Sequence, residues 1–569
     1  MTIGPVLDIV DTGPWLEGKA METKFDYVIV GGGSAGCVVA NRLSANPAVK
    51  VCLIEAGPDD RQFPTNQLVN TPAGTMGLMA NPRYDWMYTL RGGQEVARRD
   101  IFCPRGKVLG GSSAINGTIY IRGNPRDYDQ WARLGNTGWG YDQVLPLFKR
   151  HENRLAGGNA FHGTGGELNV TNLRSPQGVS KAFVEAALEA GYPANGDFNG
   201  TTQEGFGFFE VNQTRGERMS SARAFLHPVA HRPNLTLLTG TATQRVVLQG
   251  RRATGVEVLV DGRRQLIEAR REVVLSAGAI GSPQLLMLSG IGPAEHLRSH
   301  GIAVMHDLPG VGENFQDHQD VLVIAKSQRH DLFGWSLAAL PWMAASPFQF
   351  YLARRGPWTS NTVEAGGFLK SNPTLQDPDL QLIIRPLLAN QPQRKIPVGH
   401  GFSVHISLLR PASRGAVRLA SASAADKPDL RPNFLSERVD LERLMYGVRA
   451  VRKIIRTPAM AGYFAEELWP GAAADSDAEI EQFVREHVAT TFHPAGTCKM
   501  GVDERAVVDP QLRVHGIEGL RVADASIMPT IISGNTNAPT IMIGEKCAQM
   551  MLAGETVARP TPSGVAAAA

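Results

Sequence analysis

The sequence predicts an α/β protein built on a βαβ unit. Three observations carry that prediction. First, the stretch "FDYVIVGGGSAGCVVANRLSANPAVKVCLIEAG" (residues 25–57) passes from an apolar run through a glycine triplet into helical and then strand-like sequence. Second, the later strand-like run "KVCLIE" ends on an acid, Glu55, about twenty residues beyond the glycines. Third, 569 residues are too many for one simple core, so two domains or one large composite fold are expected.

Residues 27–30 form a short β-branched run and are expected to be a strand buried on both faces. Gly31, Gly33 and Gly36 follow in GxGxxG spacing, and "CVVANRLSA" has helical periodicity. Gly31 permits the tight turn, Gly33 admits a pyrophosphate to the backbone, and Gly36 lets helix and strand pack closely. The helix then presents its positive end to the phosphates. Glu55 can accept hydrogen bonds from both ribose hydroxyls, and its charge repels a 2′-phosphate. An adenine dinucleotide without that phosphate, FAD or NAD, is the expected ligand. A glycine-rich turn with Glu55 merely on the surface would not need the whole pattern.

Further along, "PRGKVLGGSSAINGTIYIRG" (residues 104–123) is dense in Gly and Ser and can wrap a ligand with backbone N–H groups. Residues 329–352 are rich in aromatics and interrupted by Pro341 and Pro347. They are expected to be a packed helix pair, the competing reading being a mobile lid or an apolar channel mouth at a membrane surface. Residues 408–421 read as sheet with an arginine-bearing turn. Residues 440–455 read as a helix with Leu441, Leu444, Met445, Val448 and Val451 on its buried face.

Composition excludes several classes. The charge balance of 57 basic and 54 acidic residues, without a basic block, argues against nucleic acid. Five cysteines without a CxxC argue against a disulfide framework and for a reducing compartment. No unbroken apolar run reaches about 18 residues, so no spanning helix is expected. Residues 1–24 lack the pattern of a signal peptide and are read as an arm, the alternative being a stretch upstream of an internal start at Met21, and residues 556–569 are read as a disordered tail.

The glycine-rich segments, together with "LSAGAIGSPQLLMLSGIGP" (275–293), "GVGENFQDH" (310–318) and "GLRVADASIMPTIISGNTNAPTIMIGEKCA" (519–548), closely resemble the glucose–methanol–choline (GMC) family of FAD-dependent alcohol oxidoreductases. The resemblance runs from about residue 25 to about residue 551 and includes both family signatures. It implies a Rossmann-like FAD-binding domain with an inserted substrate domain that carries an antiparallel sheet. The implied division gives residues 25–160, 227–320 and 485–555 to FAD, and residues 161–226 and 321–484 to substrate.

The resemblance also implies site residues. Gly31, Gly33, Ser34, Ala35, Gly36 and Glu55 would hold the ADP half. Val108, Gly111 and Asn116 would neighbour the isoalloxazine and ribityl chain, Thr243 the adenine side, and Asp524 and Ala525 the pyrophosphate and ribityl chain. Ile115 stands where some choline-oxidising members carry a histidine bonded to FAD, so non-covalent FAD is expected. His493, in "TTFHPAGTCKMG", would be the catalytic histidine, with Asn537 as its partner. A histidine of pKa near ~6.5 can remove the hydroxyl proton while a hydride passes to flavin N5. Asn537 would orient the substrate oxygen. A metal at His493 and Cys498 lacks further ligands of suitable spacing, and no metal is expected. His318 is read as structural.

Glu364 stands where the family often places an acid near the substrate. Thr362 and Val363, just before it, count against a choline cage. The expected reaction is oxidation of a primary alcohol to an aldehyde, with electrons passing to a quinone or another acceptor. The alternatives are an oxidase using O₂ and releasing H₂O₂, a non-redox hydroxynitrile lyase, or a structural flavoprotein. A cytoplasmic location is expected, with peripheral contact to the inner membrane as a further reading.

Overall fold

A computed structural model describes residues 22–389 and 399–558. Most of the expected arm and of the expected tail lie outside them, although residues 556–558, assigned to the tail, end the helix Asn537–Ala558.

Two large sheets organise the chain. In the first, Lys24–Val30 lies between Val51–Ile54 and Arg263–Leu275, parallel to both. Every residue after Lys24 in that strand is buried. Covered faces on both sides explain why its sequence is a continuous apolar run without alternation. Arg263–Leu275 is long enough to serve two neighbours along its other edge. Its first half pairs antiparallel with Arg252–Val260, and Val273 to Leu275 pair parallel with Leu520–Val522. The distal part of the chain thereby returns to the nucleotide-binding sheet.

The helix Ser34–Leu43 packs against Asn537–Ala558. A Cβ on Gly544 would come within 2.8 Å of Ala35 O, so the two backbones approach closely. Arg42 crosses this contact to Glu545 at 2.6 Å. Both side chains are buried, and Arg42 also pairs with Glu167, so the contact is tied by a small ion-pair network.

The second sheet is mainly antiparallel. Its strands run in the order Glu466–Trp469, Gln319–Lys326, Gly399–Leu408, Leu380–Arg385, Ala365–Leu369, Gly205–Phe208. Ala489–Thr490 pairs with Gln319–Lys326 and leads directly towards His493. The helix Arg438–Ile455 covers this sheet, burying Leu441, Leu444, Met445, Val448 and Val451 as the periodicity predicts.

Residues 329–352 depart from the expected packed helix pair. They contain the short strand Gly334–Trp335 and one long helix, Leu340–Ala353. Phe350 is buried, but Leu337, Phe348 and Leu352 are 86%, 68% and 83% exposed. This apolar surface has no neighbouring element among the described residues to cover it. No helix of the described residues is long and apolar enough to cross a membrane.

Candidate active site

One continuous cavity of ≈ 710 Å³ extends from the glycine motif to His493. At the motif end the glycines have different reasons. Gly31 has φ +103°, and a Cβ on Gly36 would sit 2.0 Å from Gly31 O, so both are required by the turn and the helix packing. Gly33 is different: a Cβ there would meet nothing nearer than Ser276 O at 3.9 Å. The protein alone does not demand glycine at 33, and the space it leaves belongs to the cavity.

Gly33 caps the helix Ser34–Leu43 without a side-chain hydrogen bond, and the first turn contains no acid. Its positive end is left for a ligand, with Gly31, Gly33, Ser34 and Ala35 in the wall. Gly36 lies behind the wall, in the packing role. Glu55 also lines the cavity, while its carboxylate accepts the Gly32 N–H at 2.9 Å and the Gly57 N–H at 2.8 Å. Burial pushes its pKa up to about 7, against the pull of those N–H groups and Lys107. Thr243 Oγ1 is buried in the same wall with no protein partner.

Gly111, Ile115, Asn116, Asp524 and Ala525 line the middle of the cavity. The Asp524 carboxylate is already engaged: it accepts from Gly278 N–H at 2.9 Å, Ser282 Oγ at 2.6 Å and Ser526 N–H at 2.8 Å. It therefore shapes the turn that borders the cavity. Val108 is a correction. Its side chain is buried in a small core with Val69, Leu78, Tyr84, Ala114 and Ile115 and is absent from the cavity wall. Its carbonyl accepts the Gly111 N–H at 2.7 Å, so it supports the loop from behind.

His493 is aimed by its turn. Asp317 accepts the His493 N–H at 2.9 Å and the Thr490 hydroxyl at 2.5 Å. The Thr490 oxygen in turn accepts the Phe492 N–H at 2.7 Å. Phe492 is held at φ +68°, a conformation that an aromatic residue rarely adopts and that this network sustains. Burial pushes Asp317 up to about 7.

A chain of hydrogen bonds then sets the proton on His493. His318 Nε2 lies 3.0 Å from Ile532 O, which can only accept, so Nε2 carries a hydrogen. His318 Nδ1 lies 2.9 Å from His493 Nδ1. Burial pushes His318 down to about 4, so it is neutral and its Nδ1 accepts. His493 Nδ1 must then donate, and Nε2 keeps its lone pair. Burial, His318 and Arg105, in that order, push His493 well below the ordinary histidine value.

The residue beside that lone pair corrects the sequence reading. Asn535 Nδ2 is 3.4 Å from His493 Nε2. Asn537, the expected partner, lines the cavity elsewhere, where its Oδ1 accepts the Ser34 hydroxyl at 2.7 Å. Asn537 opens the last helix, whereas Asn535 lies in the loop before it, so the helix start turns the two side chains to different partners. Glu364 also departs from its expected place beside the substrate. It is fully buried and outside the cavity wall, although Asn361, Thr362 and Val363 line it. Its carboxylate accepts from Gln177 N–H, Ser180 Oγ and Ser360 Oγ at 2.6–2.7 Å, which fastens three segments together.

The cavity also contains residues to which the sequence reading gave no role. Arg105, in the first glycine-rich loop, donates to Phe492 O at 2.5 Å. His405 and Arg385 enter from neighbouring strands of the second sheet. Strand alternation could have placed them on one face, but not on the face of this cavity. Away from it, His162, Asp197 and Glu210 lie close together, but Arg154 binds Glu210 at 2.8 Å and His162 binds Glu152 at 2.8 Å. That cluster is an ion-pair network.

An uncapped helix end, the open side of Gly33, the orphaned Thr243 hydroxyl and the Glu55 carboxylate fit an adenine dinucleotide such as FAD. Known proteins resemble this chain over most of its length. The chain is 45% identical over 519 residues to an alcohol dehydrogenase [acceptor] of Pseudomonas putida, covering 90% of this chain and 93% of that one. It is 43% identical over 519 residues to an oxygen-dependent choline dehydrogenase of Rhizobium johnstonii, with the same coverage. Among solved structures, pyridoxine 4-oxidase from Mesorbium loti superposes with a TM-score of 0.83 at 32% identity, over 93% of this chain and 99% of that one. A formate oxidase of Aspergillus oryzae, studied for its FAD modification, gives 0.88 at 29% identity, over 95% and 100%. The N- and C-terminal models of one family match residues 25–320 and 411–544. With matches across both of its parts and a cavity suited to its cofactor, the chain belongs to the GMC oxidoreductases.

Proposed function

We propose that this oxidoreductase converts a primary alcohol to an aldehyde, with His493 Nε2 as the proton acceptor. The observation that carries the reading is the neutral, oriented imidazole: its Nδ1–H is spent on His318, and its lone pair borders the cavity beside Asn535. The 3.4 Å contact to Asn535 is long, so a substrate hydroxyl can replace it. That hydroxyl then donates its proton to Nε2 and accepts from the Asn535 amide. The Asn535 carbonyl is steadied by Gln381 Nε2 at 3.4 Å. Bound FAD supplies the hydride acceptor. Gly31, Gly33, Ser34, Ala35, Glu55 and Thr243 would hold its ADP half, and Gly111, Asn116, Asp524 and Ala525 would border the remainder.

FAD is held non-covalently in this reading, because Ile115 in the cavity wall has no nucleophilic atom. Residues 25–160, 227–320 and 485–555 form the cofactor domain, and residues 161–226 and 321–484 the substrate domain. A quinone or another acceptor takes the electrons in this reading; the Pseudomonas putida relative is named for an unspecified acceptor. O₂ is the second reading, supported by oxidases among the solved relatives. The exposed Leu337, Phe348 and Leu352 support peripheral contact with a membrane, where a quinone would be found.

The test is anaerobic mixing with octanol, benzyl alcohol and choline while the flavin colour is followed. Bleaching by an alcohol is expected. Subsequent recolouring, slow in air and fast with a quinone, supports the dehydrogenase; fast recolouring in air supports the oxidase. A flavin that no alcohol bleaches would overturn the reading.

A further inference from the structure

The strand Leu380–Arg385 forms a graded wall to the substrate end of the cavity. Side chains two residues apart on a strand share a face, so Gln381, Ile383 and Arg385 point the same way. Gln381 donates to Asn535, the residue beside His493. Ile383 and Arg385 line the cavity. At roughly 3.4 Å per residue, the Arg385 Cα lies about 14 Å along the strand from that of Gln381. The wall therefore runs from the reacting end, past an apolar stretch that includes Ile383, Val363 and Ile119, to a guanidinium.

Among the described residues that guanidinium has no partner. Its Nε is shut away from solvent with no hydrogen bond, and no described residue forms an ion pair or hydrogen bond with it. The nearby carboxylate whose charge it feels, Asp320, is committed to His405 Nδ1 at 2.6 Å and Ser407 Oγ at 3.3 Å. A cation with its Nε shut away from solvent and unbonded is costly, and a ligand anion reached through the cavity would relieve that cost. The planar fork of arginine suits a carboxylate in particular.

We propose that Arg385 binds a carboxylate at the far end of the substrate, so that the preferred substrates are ω-hydroxy acids with an apolar chain between hydroxyl and carboxylate. This rests on the alcohol-oxidising reading above. The hydroxyl sits between His493 and Asn535, the chain lies along Ile383, and the carboxylate pairs with Arg385. The span, on the order of 10 Å, corresponds to a medium-length chain.

The experiment uses the FAD-loaded enzyme and its Arg385→Gln and Arg385→Lys variants. Flavin content and the visible spectrum verify that each variant is folded. Binding of octanoate, which has no hydroxyl to oxidise, is measured by calorimetry. The kcat/KM values for ω-hydroxyoctanoate and octanol are measured in parallel. Expected is a preference of the wild type for the hydroxy acid, lost by about 10- to 100-fold in Arg385→Gln, with octanol turnover preserved. Octanoate binding should weaken by the same factor, and Arg385→Lys should restore part of both. Equal octanoate binding in wild type and Arg385→Gln overturns the proposal, as does a parallel loss for both substrates. If octanoate binding depends on Arg385 but no alcohol bleaches the flavin, the carboxylate site stands and the alcohol-oxidising reading falls. If octanol is oxidised but Arg385→Gln leaves the ratio of the two substrates unchanged, the reverse holds.

Discussion

Replacing His493 by alanine separates the chemistry from cofactor binding. The imidazole contacts His318, Thr491 and Asn535, its backbone N–H is held by Asp317, and none of these belongs to the glycine motif. The variant should therefore retain FAD. General-base catalysis is worth about 10²- to 10⁴-fold, or about 3–5 kcal/mol of barrier. The truncation also leaves His318 Nδ1 without its donor, so losses near the upper end are expected. The assay is the anaerobic rate of flavin bleaching by a saturating alcohol, with FAD content read from the visible spectrum of the same sample. A bleaching rate within tenfold of the wild type, in a protein with full FAD content, would refute His493 as the base. The pH profile is an independent measurement. The base must be neutral to act, and burial with His318 and Arg105 lowers its pKa. Lowering it keeps the neutral form dominant as pH falls, so the acid limb of kcat/KM should lie clearly below the ordinary histidine value of about 6.5. A limb centred at that value would contradict the buried, hydrogen-bonded geometry.

Denaturation should release all the yellow cofactor, because Ile115 offers no atom for a covalent link; colour retained by the polypeptide after gel filtration in denaturant would disprove this. Asn535→Ala should cut the bleaching rate about tenfold or more through lost orientation of the substrate oxygen, while Asn537→Ala should act mainly on FAD retention through Ser34. The opposite pattern would restore Asn537 as the partner of His493. Glu364→Gln should lower the denaturant midpoint, because an amide cannot accept from all three donors around it, at a cost of about 1–3 kcal/mol. A large rise in KM without loss of stability would return Glu364 to the substrate.

The sequence by itself determined the nucleotide end of this protein. Strand, glycines, helix and acid lie within one contiguous stretch, and each residue's role there follows from local backbone geometry, which spacing records. The face of the helix Arg438–Ile455 was legible for the same reason, because periodicity is a local property. The reacting end was decided by tertiary structure. His318 and His493 meet through the pairing of Gln319–Lys326 with Ala489–Thr490, a long-range register that one sequence does not display. Asn535 and Asn537 are two positions apart and chemically identical, and only the start of the last helix sends one to His493 and the other to Ser34. Glu364 follows three residues that line the cavity, yet Ser180, Ser360 and the Gln177 backbone draw its carboxylate out of the wall. Arg385 carries no motif at all. Its interest arises because no described residue pairs with a charged group in the cavity wall, and an unmet hydrogen bond exists only once neighbours have been placed.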